Sequence, residues 1–112
     1  MTYFTYILRC SDDSLYTGIT TDFERREKEH ITGGNRCAKY TKAHGASRIE
    51  AVWQSGSRSS ASRLEFYIKK MRKAQKERLI FENDLSVLGD KIDTEIYKRI
   101  YIDKTGEMND EN

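Results

Sequence analysis

The sequence predicts an α+β domain: a small three-stranded antiparallel sheet flanked by helices, in the order β-β-α-β-α-α. Three observations lead there. Residues 2–10 (TYFTYILRC) and 15–19 (LYTGI) are rich in aromatic and β-branched types and flank Ser11-Asp12-Asp13-Ser14, a turn composition, so 2–19 reads as a hairpin. Residues 49–54, around Trp53, have the same character and supply a third strand. Stretches with helical periodicity lie between and after these strands.

The first helix follows the hairpin. Thr21-Asp22-Phe23-Glu24 has the form of a capping box with Thr21 as N-cap, and Gly33-Gly34 ends the helix after about residue 31. Residues 33–47 read as an exposed basic loop. Ser59 or Ser60 caps the next helix, which runs to about residue 73 with Ala61, Leu64, Ile68 and Met71 at helical spacing. Residues 74–83 form a further helix. Beyond it the pattern is divided. Ile92, Ile96 and Ile100 recur every four residues, which suits a helix, whereas IYKRIYI is strand-like. The expected division is a domain over 1–83 and an acidic extension over 84–112, partly helical or disordered and frayed at 107–112.

Charge is distributed unevenly. Residues 1–80 carry 16 basic and 9 acidic residues, a balance of +7, while 81–112 carry 4 and 9, a balance of −5. Between 36 and 78 there are 12 basic residues against Glu50, Glu65 and Glu77. A basic body fits either a polyanionic partner or an ordinary solvated surface, and an acidic tail could engage the same basic surface. No apolar run is long enough to span a bilayer and no secretory pattern opens the chain, so a cytoplasmic location is expected. Cys10 and Cys37 lack paired spacing. A zinc site from Cys10, His30, Cys37 and His44 can be drawn, but buried or incidental thiols fit the spacing better.

The helix after the hairpin carries the chemistry. At about 100° per residue, Phe23, Arg26, Glu27 and His30 share one stripe, so Arg26 and His30 face the body while Arg25 points to solvent. An inward guanidinium needs a partner. Two readings are open: an ion pair with Glu65, Glu50 or Glu27, or a site that binds an anion such as phosphate. Glu65 sits at the border of the apolar stripe of its helix. It can pair with Lys69 at i+4, or bind a hard divalent cation. Tyr6 and Tyr16 are strand residues that can pack, or can serve in proton transfer if nearby cations lower a phenol's pKa.

Together these residues resemble the GIY-YIG endonuclease superfamily, and in particular its small single-domain bacterial branch. Tyr6 in TYIL and Tyr16 in YTG stand where the family's two motif tyrosines stand. Arg26, His30 and Glu65, the last within SRLEFYIKK, stand at its arginine, histidine-or-tyrosine and glutamate positions. The segments AKYTKAHGA, EAVWQSG and EFYIKKMRKAQKERLI extend the likeness over residues 2 to about 82. TYI and YTG depart from the family's GIY and YIG but keep both tyrosines and the second glycine. Asn83 is not assigned the role of a late asparagine that some relatives carry.

The resemblance implies a metal-dependent phosphodiesterase acting on DNA, single-stranded or structured. Arg26 would hold the scissile phosphate, and Glu65 would bind one Mg²⁺ or Mn²⁺. Tyr16 would act provisionally as general base, Tyr6 would orient water or phosphate, and His30 would bond within their network. Lys39, Tyr40, Thr41 and Lys42 would contact the nucleic acid, with Arg63, Lys69, Lys70 and Arg72 extending the groove. A protein partner could supply target recognition. The alternative is a nucleic-acid-binding module of the same fold without catalysis.

Overall fold

The computed structural model describes residues 2–102. Its elements run β1 (Tyr3–Arg9), β2 (Leu15–Thr20), α1 (Phe23–Thr32), α2 (Lys39–His44), β3 (Arg48–Ser55), α3 (Arg58–Lys69), α4 (Lys73–Glu82), two 3₁₀ segments (Leu85–Lys91 and Thr94–Ile96) and β4 (Lys98–Ile100). The fold is α+β as expected, but the antiparallel sheet has four strands, in the order β2-β1-β3-β4. The fourth is the strand-like half of the divided C-terminal pattern. Ile92 (φ −136°) and Tyr97 (φ −110°) both have extended backbone, so the isoleucine periodicity does not produce a single helix there.

Alternation along the strands gives the sheet two apolar faces. On one, Ile7, Leu15, Ala51 and Trp53 pack with Leu64, Ile68 and Leu79 of α3 and α4. On the other, Tyr6, Leu8 and Val52 lie with Tyr16 and with Phe23 of α1. Tyr6 pairs with Gly18 across β1 and β2. A Cβ on Gly18 would fall 2.6 Å from the Tyr6 hydroxyl, so the glycine leaves the space that the phenol occupies.

Residues 85–97, the first part of the expected acidic extension, pack into this core. Leu85, Leu88, Ile92 and Tyr97 are buried in the same cluster as Trp53 and Leu64, and the Tyr97 hydroxyl donates to the Ser60 carbonyl at 2.7 Å. Asn83 caps α4 at φ +56°, and its side-chain oxygen accepts from Trp53 Nε1 at 2.9 Å. The fraying expected at 107–112 lies outside the described residues. Among the described residues no helix is long and apolar enough to cross a membrane.

Local details revise three boundaries. Asp22, not Thr21, caps α1, its carboxylate accepting from Arg25 N at 3.1 Å, while Thr20 Oγ1 accepts from Asp22 N. Ser57 caps α3, a little earlier than expected. The basic loop contains α2, which begins after Ala38 and ends at Gly45, whose φ of +77° suits glycine. Arg9 fastens three elements: its guanidinium donates to buried Glu50 on β3 at 3.0 Å and to Glu77 on α4 at 2.8 Å. Arg9 holds the Glu77 carboxyl down to about 2.

Leu88→Ala should therefore destabilise the fold by about 2–4 kcal/mol in urea titrations, and truncation after Asn83 should abolish cooperative unfolding. A truncated chain with an unchanged melting temperature would contradict this packing.

Candidate active site

α1 has little apolar surface, and it docks through polar contacts. Phe23 meets Phe4 edge-on at 5.1 Å, but the next turn is anchored by Glu27, whose carboxylate accepts from Ile49 N at 2.7 Å. One turn further on, His30 Nε2 lies 2.7 Å from the Tyr6 hydroxyl and Nδ1 lies 2.7 Å from Thr41 Oγ1. Tyr6, His30 and Thr41 are each 1% exposed, so these bonds are closed to solvent.

The network fixes the direction of each proton. The Thr41 hydroxyl donates to the Ala38 carbonyl at 3.1 Å, so its oxygen accepts from His30 Nδ1–H. Nε2 is then the acceptor, and Tyr6 O–H donates to it. The Cys37 sulfur, 3.0 Å from Thr41 Oγ1, completes the cluster. Burial, reinforced by the Arg26 charge, lowers the His30 pKa to about 4, so the ring is neutral at neutral pH. Burial and then Tyr16 push the Tyr6 phenol well up, Arg26 opposes them, and Glu65 adds to the rise. Tyr6 is thereby held as a neutral phenol.

Tyr16 stands beside this pair and is only half-buried. Its ring lies 6.3 Å from Tyr6 and 5.4 Å from His30, with Lys69 Nζ 5.9 Å from its centroid. Arg26, with its side chain 21% exposed, donates to Glu29 Oε1 at 2.9 Å and to the Arg36 carbonyl. Its ion pair is thus with Glu29, at i+3, and not with Glu27, Glu50 or Glu65. Glu27 serves β3 and Glu50 serves Arg9 and Arg48. Arg25 is largely exposed, 3.5 Å from Glu29.

Glu65, its side chain 23% exposed, pairs with Lys69 at 3.2 Å, at the expected i+4 spacing. Among the described residues no three His, Cys, Asp or Glu side chains gather as a metal cluster. The zinc set drawn from the sequence is not assembled: both His30 nitrogens are engaged, and His44 Nδ1 bonds Asp12. Glu65 does fit a hard divalent cation. A lone, partly exposed carboxylate suits an ion that keeps most of its shell as water and substrate oxygen, and Lys69 already marks the spot as cation-accepting.

The structure brings Tyr6, Tyr16, Arg26, His30, Glu65 and Lys69 together. It distributes the expected nucleic-acid contacts differently. Thr41 is buried and orients His30, so it is not available to a nucleic acid. The Tyr40 ring stacks on His44 at 4.1 Å and Tyr16 at 5.7 Å, so base stacking there would have to displace a ring. Arg63 lies with Asp90, Asp93 and Tyr97, away from Glu65. Lys70 sits over Phe66 at 4.7 Å, and exposed Arg72 is the N-cap of α4, its backbone N–H donating to Gln75 Oε1. Lys39 and Lys42 are exposed on α2. The roles of Thr41 and Cys37 in the cluster were not legible in the sequence; Thr41 eleven residues after His30 carries no periodic signal.

An α+β sheet with paired strand tyrosines, a helix arginine and histidine, and a glutamate at its edge defines the GIY-YIG class. The GIY-YIG catalytic domain model matches residues 2–78. The chain is 45% identical over 84 residues to UPF0213 protein FN1575 of Fusobacterium nucleatum, covering 75% of this chain and 82% of that one. It is 43% identical over 82 residues to UPF0213 protein YhbQ of Salmonella typhimurium, covering 73% and 80%. The solution NMR structure of UPF0213 protein BH0048 from Bacillus halodurans shares 39% identity, covers 78% of this chain and 97% of that one, and superposes with a TM-score of 0.46. The chain belongs to the GIY-YIG family and, within it, to the UPF0213 proteins.

Two outcomes follow from the buried histidine. The unfolded ring titrates at about 6.5 and the folded one at about 4, so His30 supports the fold fully above pH 6.5 and that support, about 2–3 kcal/mol, is lost as pH falls toward 4. Urea midpoints measured between pH 7 and 4.5 should fall in the wild type, and this fall should be reduced in His30→Gln. Gly18→Ala should shift the Tyr6 phenol and lower the melting temperature, read by calorimetry; an unchanged melting temperature would contradict the contact.

Proposed function

We propose that this protein is a divalent-metal-dependent nuclease that hydrolyses phosphodiester bonds in DNA, with single-stranded or branched DNA as its substrate. The observation that carries the reading is Arg26: a guanidinium braced by Glu29 and a backbone carbonyl, electrostatically coupled to Tyr6, and lining an open groove.

Each side chain has a part consistent with its surroundings. Arg26 holds the scissile phosphate, where charge grows on the non-bridging oxygens as water attacks phosphorus. Its rigid bracing means that little reorganisation accompanies the reaction. Tyr16 is the half-buried phenol, with the Lys69 ammonium beside its ring, and it serves as general base toward the attacking water. Tyr6, sealed and neutral, is a poor base; it and His30 hold the wall against which Arg26 rests. Glu65 would bind one Mg²⁺ or Mn²⁺ once Lys69 swings aside, and such an ion supplies Lewis-acid stabilisation of charge on phosphate oxygens.

The test incubates the purified protein with labelled single-stranded, duplex and branched DNA, with Mg²⁺ or Mn²⁺ and with EDTA. Cleavage should require the metal and fall about 10²–10³-fold in Arg26→Ala and comparably in Glu65→Ala, while Arg25→Ala keeps kcat within a few-fold. Absence of metal-dependent cleavage across these substrates, or undiminished cleavage by the two site variants, would overturn the proposal. Salt-sensitive binding without turnover would instead identify a binding module.

A further inference from the structure

Next to the tyrosine site lies an open groove of about 530 Å³ with an unusual lining. Arg25 and Arg26 enter it from α1, Arg36 from the segment after Gly33, and Arg58 from the first residue of α3. Glu29 is the acidic residue that lines it, and it is already engaged by Arg26 at 2.9 Å and Arg25 at 3.5 Å. Arg36 and Arg58 are exposed, and neither makes an ion pair among the described residues. Four guanidiniums thus share one carboxylate, Glu29, whose charge Arg36 also acts on, and the surplus positive charge repels itself in the free protein and is relieved by a polyanion.

The groove is continuous with the site through Arg26, which belongs to both. Tyr3, half-buried at the start of β1, contributes an aromatic wall among the arginines. Guanidiniums from three elements, with an aromatic between them, suit successive phosphates and an adjoining base of one strand. We infer that this groove is a strand-binding subsite: Arg36 and Arg58, with Arg25, hold the flank of a single nucleic-acid strand whose scissile phosphate sits at Arg26. The inference rests on the proposed function and extends it, moving the expected flank contacts from the α2 lysines to the arginines of this groove.

The experiment is fluorescence anisotropy of labelled single-stranded DNA and RNA oligonucleotides with the full chain in EDTA, across a salt series. Arg36→Ala/Arg58→Ala should weaken binding about tenfold at low salt and flatten the log–log salt slope by about 1.4, which is about 0.7 for each phosphate no longer neutralised. Arg36→Lys/Arg58→Lys should keep most of the slope. Lys39→Ala/Lys42→Ala should change it by less than about 0.3. With metal present, the alanine pair should raise KM while leaving kcat at saturation close to wild type. Both arginines are exposed, and circular dichroism checks that each variant folds. Wild-type binding with an unchanged slope in the arginine pair, or a loss confined to the lysine pair, would overturn the subsite. Arginine-dependent binding with no cleavage under any condition would keep the subsite and overturn only the nuclease reading.

Discussion

The hydrogen bond between the Tyr6 hydroxyl and His30 Nε2 is the constraint on which the rest of the site depends. It joins the central strand β1 to a helix with too little apolar surface to dock unaided. A neutral pair buried at this depth must satisfy both ring nitrogens, and Thr41 supplies the second partner. That requirement gives α2 a reason to fold back from an otherwise basic, glycine-bearing segment. Thr41 closes the chain on the Ala38 carbonyl, so no donor in it is left unpaired.

From that bond the other positions follow. Once His30 is fixed, helical geometry sets Arg26 one turn earlier on the same face, close enough to the phenol to oppose its burial. Glu27, beside it, is spent on the β3 backbone, and Glu29 is left to brace the guanidinium. Gly18 makes room for the phenol, and the Tyr6–Gly18 pairing places Tyr16 two residues back along β2, on the same face. The opposite face holds the ordinary apolar core, built from α3, α4 and residues 85–97. Glu65 and Lys69 project from α3 toward Tyr16, so packing on one face sets the reach of charges on the other.

Much of this was legible in the sequence because it rests on local composition and helical spacing. Three strands came from aromatic and β-branched composition, and the helix α3 and the inward placement of Arg26 and His30 on α1 from spacings of three to four residues. What escaped was set by tertiary partners. β4 was missed because Ile92, Ile96 and Ile100 mimic a helix, whereas pairing with β3 draws the last of them into the sheet. The Arg26 partner was misplaced because Glu27 was weighed and Glu29 was not, although Glu29 at i+3 faces Arg26 on the helix and Glu27 at i+1 turns instead to the β3 backbone. Thr41 read as a surface contact because it lies close to two lysines, whereas the one buried position in α2 is what the helix exists to deliver. The arginine groove draws on residues 25, 36 and 58, which no local pattern connects.

The most direct test is the protonation state of one ring. Long-range ¹H–¹⁵N correlation spectra of His30 should show a neutral imidazole with the proton on Nδ1 and Nε2 as acceptor, unchanged as pH falls through the ordinary histidine value of about 6.5. A ring protonated on Nε2, or one titrating near 6.5, would contradict the buried relay from Tyr6 through His30 to Thr41.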